Sequence, residues 1–265
     1  MTRTATSALT NRVARAIVVT AFGIVFSATS LAEQGADRDW SYSGLQFPGP
    51  VRWAGVKPEY GACKTGQRQS PVDIVTSSAQ KSALPRIDFQ YTPSALKLLN
   101  TGHTTQVIPD KGRQISIGND AYELLQYHFH VPSEEQIDGK NFPMGAHFVH
   151  QSATGKVVVV AVLFELGTYN PALSGLWARS PRIVGTEMSF SGVRVDISKL
   201  LPAERAYYTF EGSLNMPPCT EGVSWFVLKQ PVAASAGQIR EFSAQFGSNA
   251  RPVQPLNGRV IRVSQ

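Results

Sequence analysis

No run of lysine and arginine interleaved with aromatics occurs in this 265-residue sequence, which leaves a nucleic-acid binder without support. No repeat or low-complexity linker interrupts residues 33–265, so that stretch reads as one domain large enough for a sizeable core. Charged residues make up only 17% of the chain and hydrophobic ones 42%. That balance excludes the disordered class, which combines low hydrophobicity with high net charge. The apolar run Ala16 to Phe26 is shorter than the about 20 residues a membrane-spanning helix needs. Cysteine is scarce: only Cys63 and Cys219 are present.

That short apolar run has a different reading. Arg3, Arg12 and Arg15 precede it, and small residues follow, ending Ser30-Leu31-Ala32 before Glu33. A positive segment, a short apolar segment and an A-x-A-like site are the marks of a secretory leader, expected over 1–32. The leader holds three of the 25 basic residues and no acid, so 22 basic and 19 acidic residues remain, a formal charge of +3. No membrane span is expected after cleavage, and the mature 33–265 domain is expected to be periplasmic or secreted. In an oxidising compartment an even pair of distant cysteines is a disulfide candidate, so a Cys63–Cys219 bridge is expected.

Along 33–265, short apolar stretches alternate with Gly, Pro, Asn and Asp punctuation, the pattern of many strands. Strands are expected near 86–91, 114–117, 122–131, 146–151, 157–165, 224–229 and 259–263. Val157 to Phe164 is apolar on both faces, which predicts a central strand covered on both sides. A helix is expected over 235–246, with Ile239, Phe242 and Phe246 on one face. The fold class is therefore mostly β (α+β), a single domain with small peripheral helices.

All five histidines fall between positions 103 and 150. His128-Phe129-His130 lies in a strand-like stretch, where residues i and i+2 face the same way and two imidazoles can converge on one ion. His147 follows 17 residues later, in the next apolar stretch, and supplies a third donor from a neighbouring strand. Three histidines with no fourth ligand leave an open position for water, the arrangement of a catalytic zinc site. His150, three residues from His147, faces the other way and reads as a structural, hydrogen-bonded histidine.

The segment Leu125-Gln126-Tyr127-His128-Phe129-His130-Val131-Pro132-Ser133-Glu134, running on to Ala146-His147-Phe148-Val149-His150, resembles the zinc segment of α-type carbonic anhydrases. Gln69 to Ile74, Gly212 to Leu214 with Pro217 to Trp225, and Arg251 to Asn257 resemble further segments of that family in the same order. The resemblance implies a central, largely antiparallel twisted sheet with Zn2+ held by His128, His130 and His147 in a cleft on one face. It also implies reversible hydration of carbon dioxide to bicarbonate and a proton, by attack of zinc hydroxide. Gln126 matches the amide that orients the first ligand, and Glu134 the carboxylate behind the hydroxyl gatekeeper beside the zinc water. Val149 and Val159 match the apolar wall where carbon dioxide rests, and Trp225 continues it. His103 matches the proton shuttle, a role suited to its near-neutral titration. Tyr42 matches a tyrosine that orders water near the shuttle.

Two positions depart from the family pattern. Asn215 and Met216 stand where the family has two threonines, the first of them the gatekeeper. A carboxamide can divide that work, its NH2 toward Glu134 and its oxygen toward the hydroxide. Gly145 stands where the family commonly has a glutamate accepting the third ligand's ring N–H, so His147 is expected to lack that partner. The two faults are expected to be separable. Asn215→Thr should raise turnover, and Gly145→Glu should tighten zinc retention. The alternatives are a zinc-bound homologue with weak or no turnover and a cupin-type metal protein in which Glu134 is itself a ligand.

Overall fold

The computed structural model describes Met1 and residues 39–265; the expected leader lies outside the described residues. Its dominant feature is a 13-stranded sheet. The run begins at one edge with Glu187–Val195 and proceeds through Ser94–Asn100, Thr105–Val107 and Asp120–His130 to Met144–Gln151. It continues through Val157–Leu166, Glu221–Leu228, Tyr207–Ser213 and Arg262–Ser264 to Gln80–Ser82. Most pairings are antiparallel, as expected. Val157–Leu166 is an exception, pairing parallel with both Glu221–Leu228 and Val232–Ala234, and Arg262–Ser264 pairs parallel with Gln80–Ser82.

The alternating pattern of the central strands divides the interior in two. On Met144–Gln151, Ala146 and Phe148 join a large core with Tyr127, Phe129, Val160, Trp177 and Phe242. Val149, on the opposite pleat, joins Val72, Val159, Ala161, Phe210 and Trp225. Val157–Leu166 sits in mid-sheet with its first eight residues buried, because apolar side chains are needed on both faces. The expected helix is observed as Ala236–Phe246, opened by a capping box in which Ser235 and Gln238 exchange side-chain and backbone hydrogen bonds. Ile239 and Phe242 are buried against the larger core, with Phe246 packed beside them.

Cys63 and Cys219 form a disulfide across 156 positions. It joins the N-terminal segment, where Trp40, Trp53 and Tyr60 cluster, to the loop that follows Tyr207–Ser213. That loop is closed on itself by Leu214 N–H donating to the Thr220 carbonyl at 3.0 Å and Cys219 N–H to Met216 at 2.8 Å. Among the described residues, no helix is long and apolar enough to cross a membrane.

Candidate metal centre

Register places the histidines together. His128 pairs with Gln106 on one side and His147 on the other, and His130 pairs with Gly145. Since i and i+2 share a face, all three imidazoles emerge on the same side of the sheet. One ring nitrogen from each lies within 4.8 Å of the other two.

The second nitrogen of each ring is committed to the protein, which decides which nitrogen is left. His128 Nδ1 lies 2.8 Å from Gln126 Oε1, and His130 Nδ1 donates to the Asn249 carbonyl at 2.7 Å. His147 does the reverse, with Nε2 donating to Glu135 Oε2 at 3.0 Å. A neutral imidazole with its proton on the committed nitrogen has its lone pair on the other. The free set is therefore Nε2 of His128, Nε2 of His130 and Nδ1 of His147. Burial, reinforced by the neighbouring rings, holds His128 and His130 well below the usual imidazole pKa, so both are neutral and able to ligate. For His147, burial acts the same way, but the Glu135 and Glu134 carboxylates outweigh it and raise the pKa.

Two buried atoms fit a metal and its water. His130 Nε2 has no hydrogen-bond partner, and neither has Asn215 Oδ1. Asn215 divides its amide as the sequence suggested, Nδ2 donating to Glu134 Oε2 at 2.7 Å while Oδ1 stays unused. The other oxygen of Glu134 accepts the Arg251 backbone N–H at 2.7 Å. Burial pushes the Glu134 carboxyl up to about 7. Glu134 Oε2 is 3.4 Å from His130 Nε2, but that contact lacks hydrogen-bond geometry. With both Glu134 oxygens already accepting N–H groups, the candidate metal group among the described residues is the three histidines alone. The four-ligand cupin arrangement finds no support.

Gln126, Glu134, Val149, Val159, Asn215, Met216 and Trp225 line one cavity with the three histidines. Its apolar wall follows from register: Val149 pairs with Val159, and Val159 with Trp225, a row across three strands. Trp225 stands edge-on to His147 at 4.9 Å, its indole N–H tied to the Ser213 carbonyl. His103 is half-buried in an adjoining cavity with Trp40, Tyr42 and Asn249, its ring stacked on Trp40 at 3.7 Å. Tyr42 bridges the two regions, its ring 6.2 Å from those of both His103 and His130. His150 lies on the opposite face, its Nε2 2.6 Å from the Tyr91 hydroxyl, as its position in the strand required.

One expectation is corrected. Gly145 does not leave His147 without a partner, because Glu135 fills that role from the turn after His130. The turn itself covers Gly145: a Cβ there would meet Cα and Cβ of Ser133 at 3.2 Å each. Asn249 was also missed. Beyond its carbonyl, its side-chain Oδ1 accepts the Val131 N–H, and its Nδ2 donates to the carbonyls of Phe129 and His103.

A sequence model described as eukaryotic-type carbonic anhydrase matches residues 48–265. The chain belongs to that family. It is 44% identical over 237 residues to a carbonic anhydrase of Neisseria gonorrhoeae, covering 89% of this chain and 92% of that one. To a carbonic anhydrase of Nostoc sp. it is 38% identical over 226 residues, covering 84% and 85%. The α-carbonic anhydrase of Thermovibrio ammonificans, solved with the inhibitor sulfanilamide, superposes with a TM-score of 0.80 at 40% identity. That match covers 85% of this chain and 98% of the other. The carbonic anhydrase fold and a lyase activity on carbon dioxide are thus shown for this chain by kinship, with a histidine triad placed where it could hold a metal ion.

Proposed function

We propose that the resident metal is Zn2+, held by His128, His130 and His147, and that this centre hydrates carbon dioxide reversibly to bicarbonate and a proton. The observation that carries the reading is the commitment of each ring's second nitrogen, which leaves one nitrogen of each histidine free, in a triad whose candidate ligand atoms lie within 4.8 Å of one another. Three nitrogens and an open position suit zinc, which when bound makes water a nucleophile near neutral pH and polarises its target.

The chain's own residues then have distinct tasks. Gln126, the Asn249 carbonyl and Glu135 hold the three rings in place. Asn215 Oδ1, a pure acceptor, takes a hydrogen bond from the attacking water and so turns a lone pair toward the substrate. Glu134 fixes the amide by accepting from Nδ2, and is itself fixed by the Arg251 N–H. Val149, Val159, Leu214 and Trp225 provide a neutral surface for a molecule without hydrogen-bond donors, and Met216 narrows it. His103, with Tyr42 between it and the histidine triad, exports the proton to solvent. The leader over 1–32 directs the chain to the periplasm or beyond, a reading supported by the disulfide.

The test is stopped-flow hydration of carbon dioxide by zinc-loaded protein against zinc-free protein and buffer. A rate well above both, abolished by a zinc-binding sulfonamide, is expected. A rate equal to buffer with zinc bound would reject the reading.

A further inference from the structure

Glu134 and Glu135 are consecutive, both are completely buried, and each lies against a histidine of the triad, Glu134 Oε2 at 3.4 Å from His130 Nε2 and Glu135 Oε2 at 3.0 Å from His147 Nε2. Their partners differ. Glu135 Oε2 accepts from His147 Nε2 at 3.0 Å, and Glu134 Oε1 from the Arg251 N–H at 2.7 Å. Each has one remaining oxygen, and Asn215 Nδ2 reaches both, at 2.7 Å to Glu134 Oε2 and 3.4 Å to Glu135 Oε1. Gly145, two residues before His147, is roofed by Ser133 from the same turn.

We propose that Glu135, Gly145 and Asn215 form one interdependent unit. Glu135 is the positioning residue of His147, and Asn215 is the two-proton donor that a second buried carboxylate makes necessary. The proposal rests on the zinc reading above. Its physical basis is a count of hydrogens. A hydroxyl has a single proton to donate, whereas a primary amide has two on one nitrogen. With one buried carboxylate at this place, a hydroxyl suffices. With two, a hydroxyl leaves one buried carboxylate oxygen without a donor, where unmet charge is costly. Glycine at 145 belongs to the same unit, because a side chain there would contend with the turn that carries Glu135. The faults at 215 and 145 are then neither faults nor separable.

The test uses Glu135→Gln, which keeps the shape. Glutamine must either face its NH2 to Asn215 Nδ2 or face it to His147 Nε2–H, and each choice sets donor against donor. Zinc release from Glu135→Gln to a chelator should be about 10–100-fold faster than from the parent. Moving the carboxylate, as Glu135→Asn with Gly145→Glu, should return release to within a few-fold of the parent. That variant asks Ser133 to yield by a few tenths of an ångström. In zinc-free protein, Asn215→Thr should weaken folding. The combined Glu135→Gln, Asn215→Thr protein should lose less than the two single effects multiplied, by more than about 2-fold in the unfolding constant.

Zinc release within 2-fold of the parent in Glu135→Gln, or single effects that simply multiply, would overturn the proposal. If Glu135→Gln does not fold, the relocated carboxylate decides, and no recovery of zinc retention there overturns it. If the parent protein takes up no zinc, the zinc reading has failed. The unfolding comparison in metal-free protein then still decides the unit independently.

Discussion

Asn249→Ala should destabilise both the fold and the metal centre, though residue 249 lies far from the histidines in sequence. The side chain is 1% exposed and makes three hydrogen bonds: Oδ1 with the Val131 N–H at 2.8 Å, and Nδ2 with the carbonyls of Phe129 and His103 at 2.9 and 3.0 Å. Truncation leaves the Val131 N–H without that acceptor, at about 1–3 kcal/mol. The Phe129 carbonyl retains the Thr104 hydroxyl at 2.8 Å, and the half-buried His103 segment can meet water. Those two losses add roughly 0.5–1 kcal/mol together. A total of about 1.5–4 kcal/mol corresponds to a drop in Tm of about 3–16 °C for a domain of this size. The same residue's carbonyl holds His130 Nδ1 at 2.7 Å, so loosening it should also speed zinc loss, by up to about 100-fold. Asn249→Asp separates hydrogen bonding from volume. It keeps the shape but turns a carboxylate oxygen toward two carbonyls, so it should be at least as harmful. Urea unfolding and chelator competition measure the two effects. Stability within about 0.5 kcal/mol of the parent, with unchanged zinc retention in both variants, would refute the reasoning.

Three further outcomes are expected. His128→Ala and His147→Ala should each abolish zinc binding, and elemental analysis finding full occupancy in either would contradict the ligand set. Replacing both Cys63 and Cys219 by serine should cost roughly 4–5 kcal/mol, the chain-entropy value for so long a loop. Two free thiols in denatured, unreduced exported protein would remove the basis for that figure. His150 is buried, and burial lowers its pKa to about 3, so the folded chain keeps it neutral while the unfolded chain protonates it near 6.5. Its folded pKa is depressed, so stability is intact above pH 6.5 and is lost as pH falls toward 3. At pH 5 the parent should have lost about 2 kcal/mol relative to His150→Gln, compared with their difference at pH 7.5. A pH-independent difference in urea unfolding would sink that assignment.

The parts of this site legible in the sequence are those whose signal is local. His128 and His130 announced themselves by strand alternation, and their register with His147 across neighbouring strands is the expected one. The covered strand at Val157–Leu166 and the capped helix at Ala236–Phe246 follow from composition and period alone. The Glu134–Asn215 contact was readable from chemistry, since an amide offers both a donor and an acceptor. What escaped has a physical reason. His130 is held by a backbone carbonyl 119 positions away, and every residue has one, so no side-chain type marks it. Glu135 sits beside Glu134, and in a strand adjacent residues oppose each other. Only the turn after His130 brings both carboxylates inward, and only the register reveals that Gly145 lies under that turn. Reading Gly145 by itself therefore suggested a missing partner, whereas the partner had moved to another position in the chain.

The central claim is that the three histidines hold the zinc that performs the hydration. The most direct test is to strip the protein of metal, add zinc back in steps, and follow carbon dioxide hydration against bound zinc at each step. Activity should rise in proportion to occupancy and stop rising at one zinc per chain. A protein that binds one zinc through these histidines and still hydrates carbon dioxide no faster than its metal-free form would contradict the account.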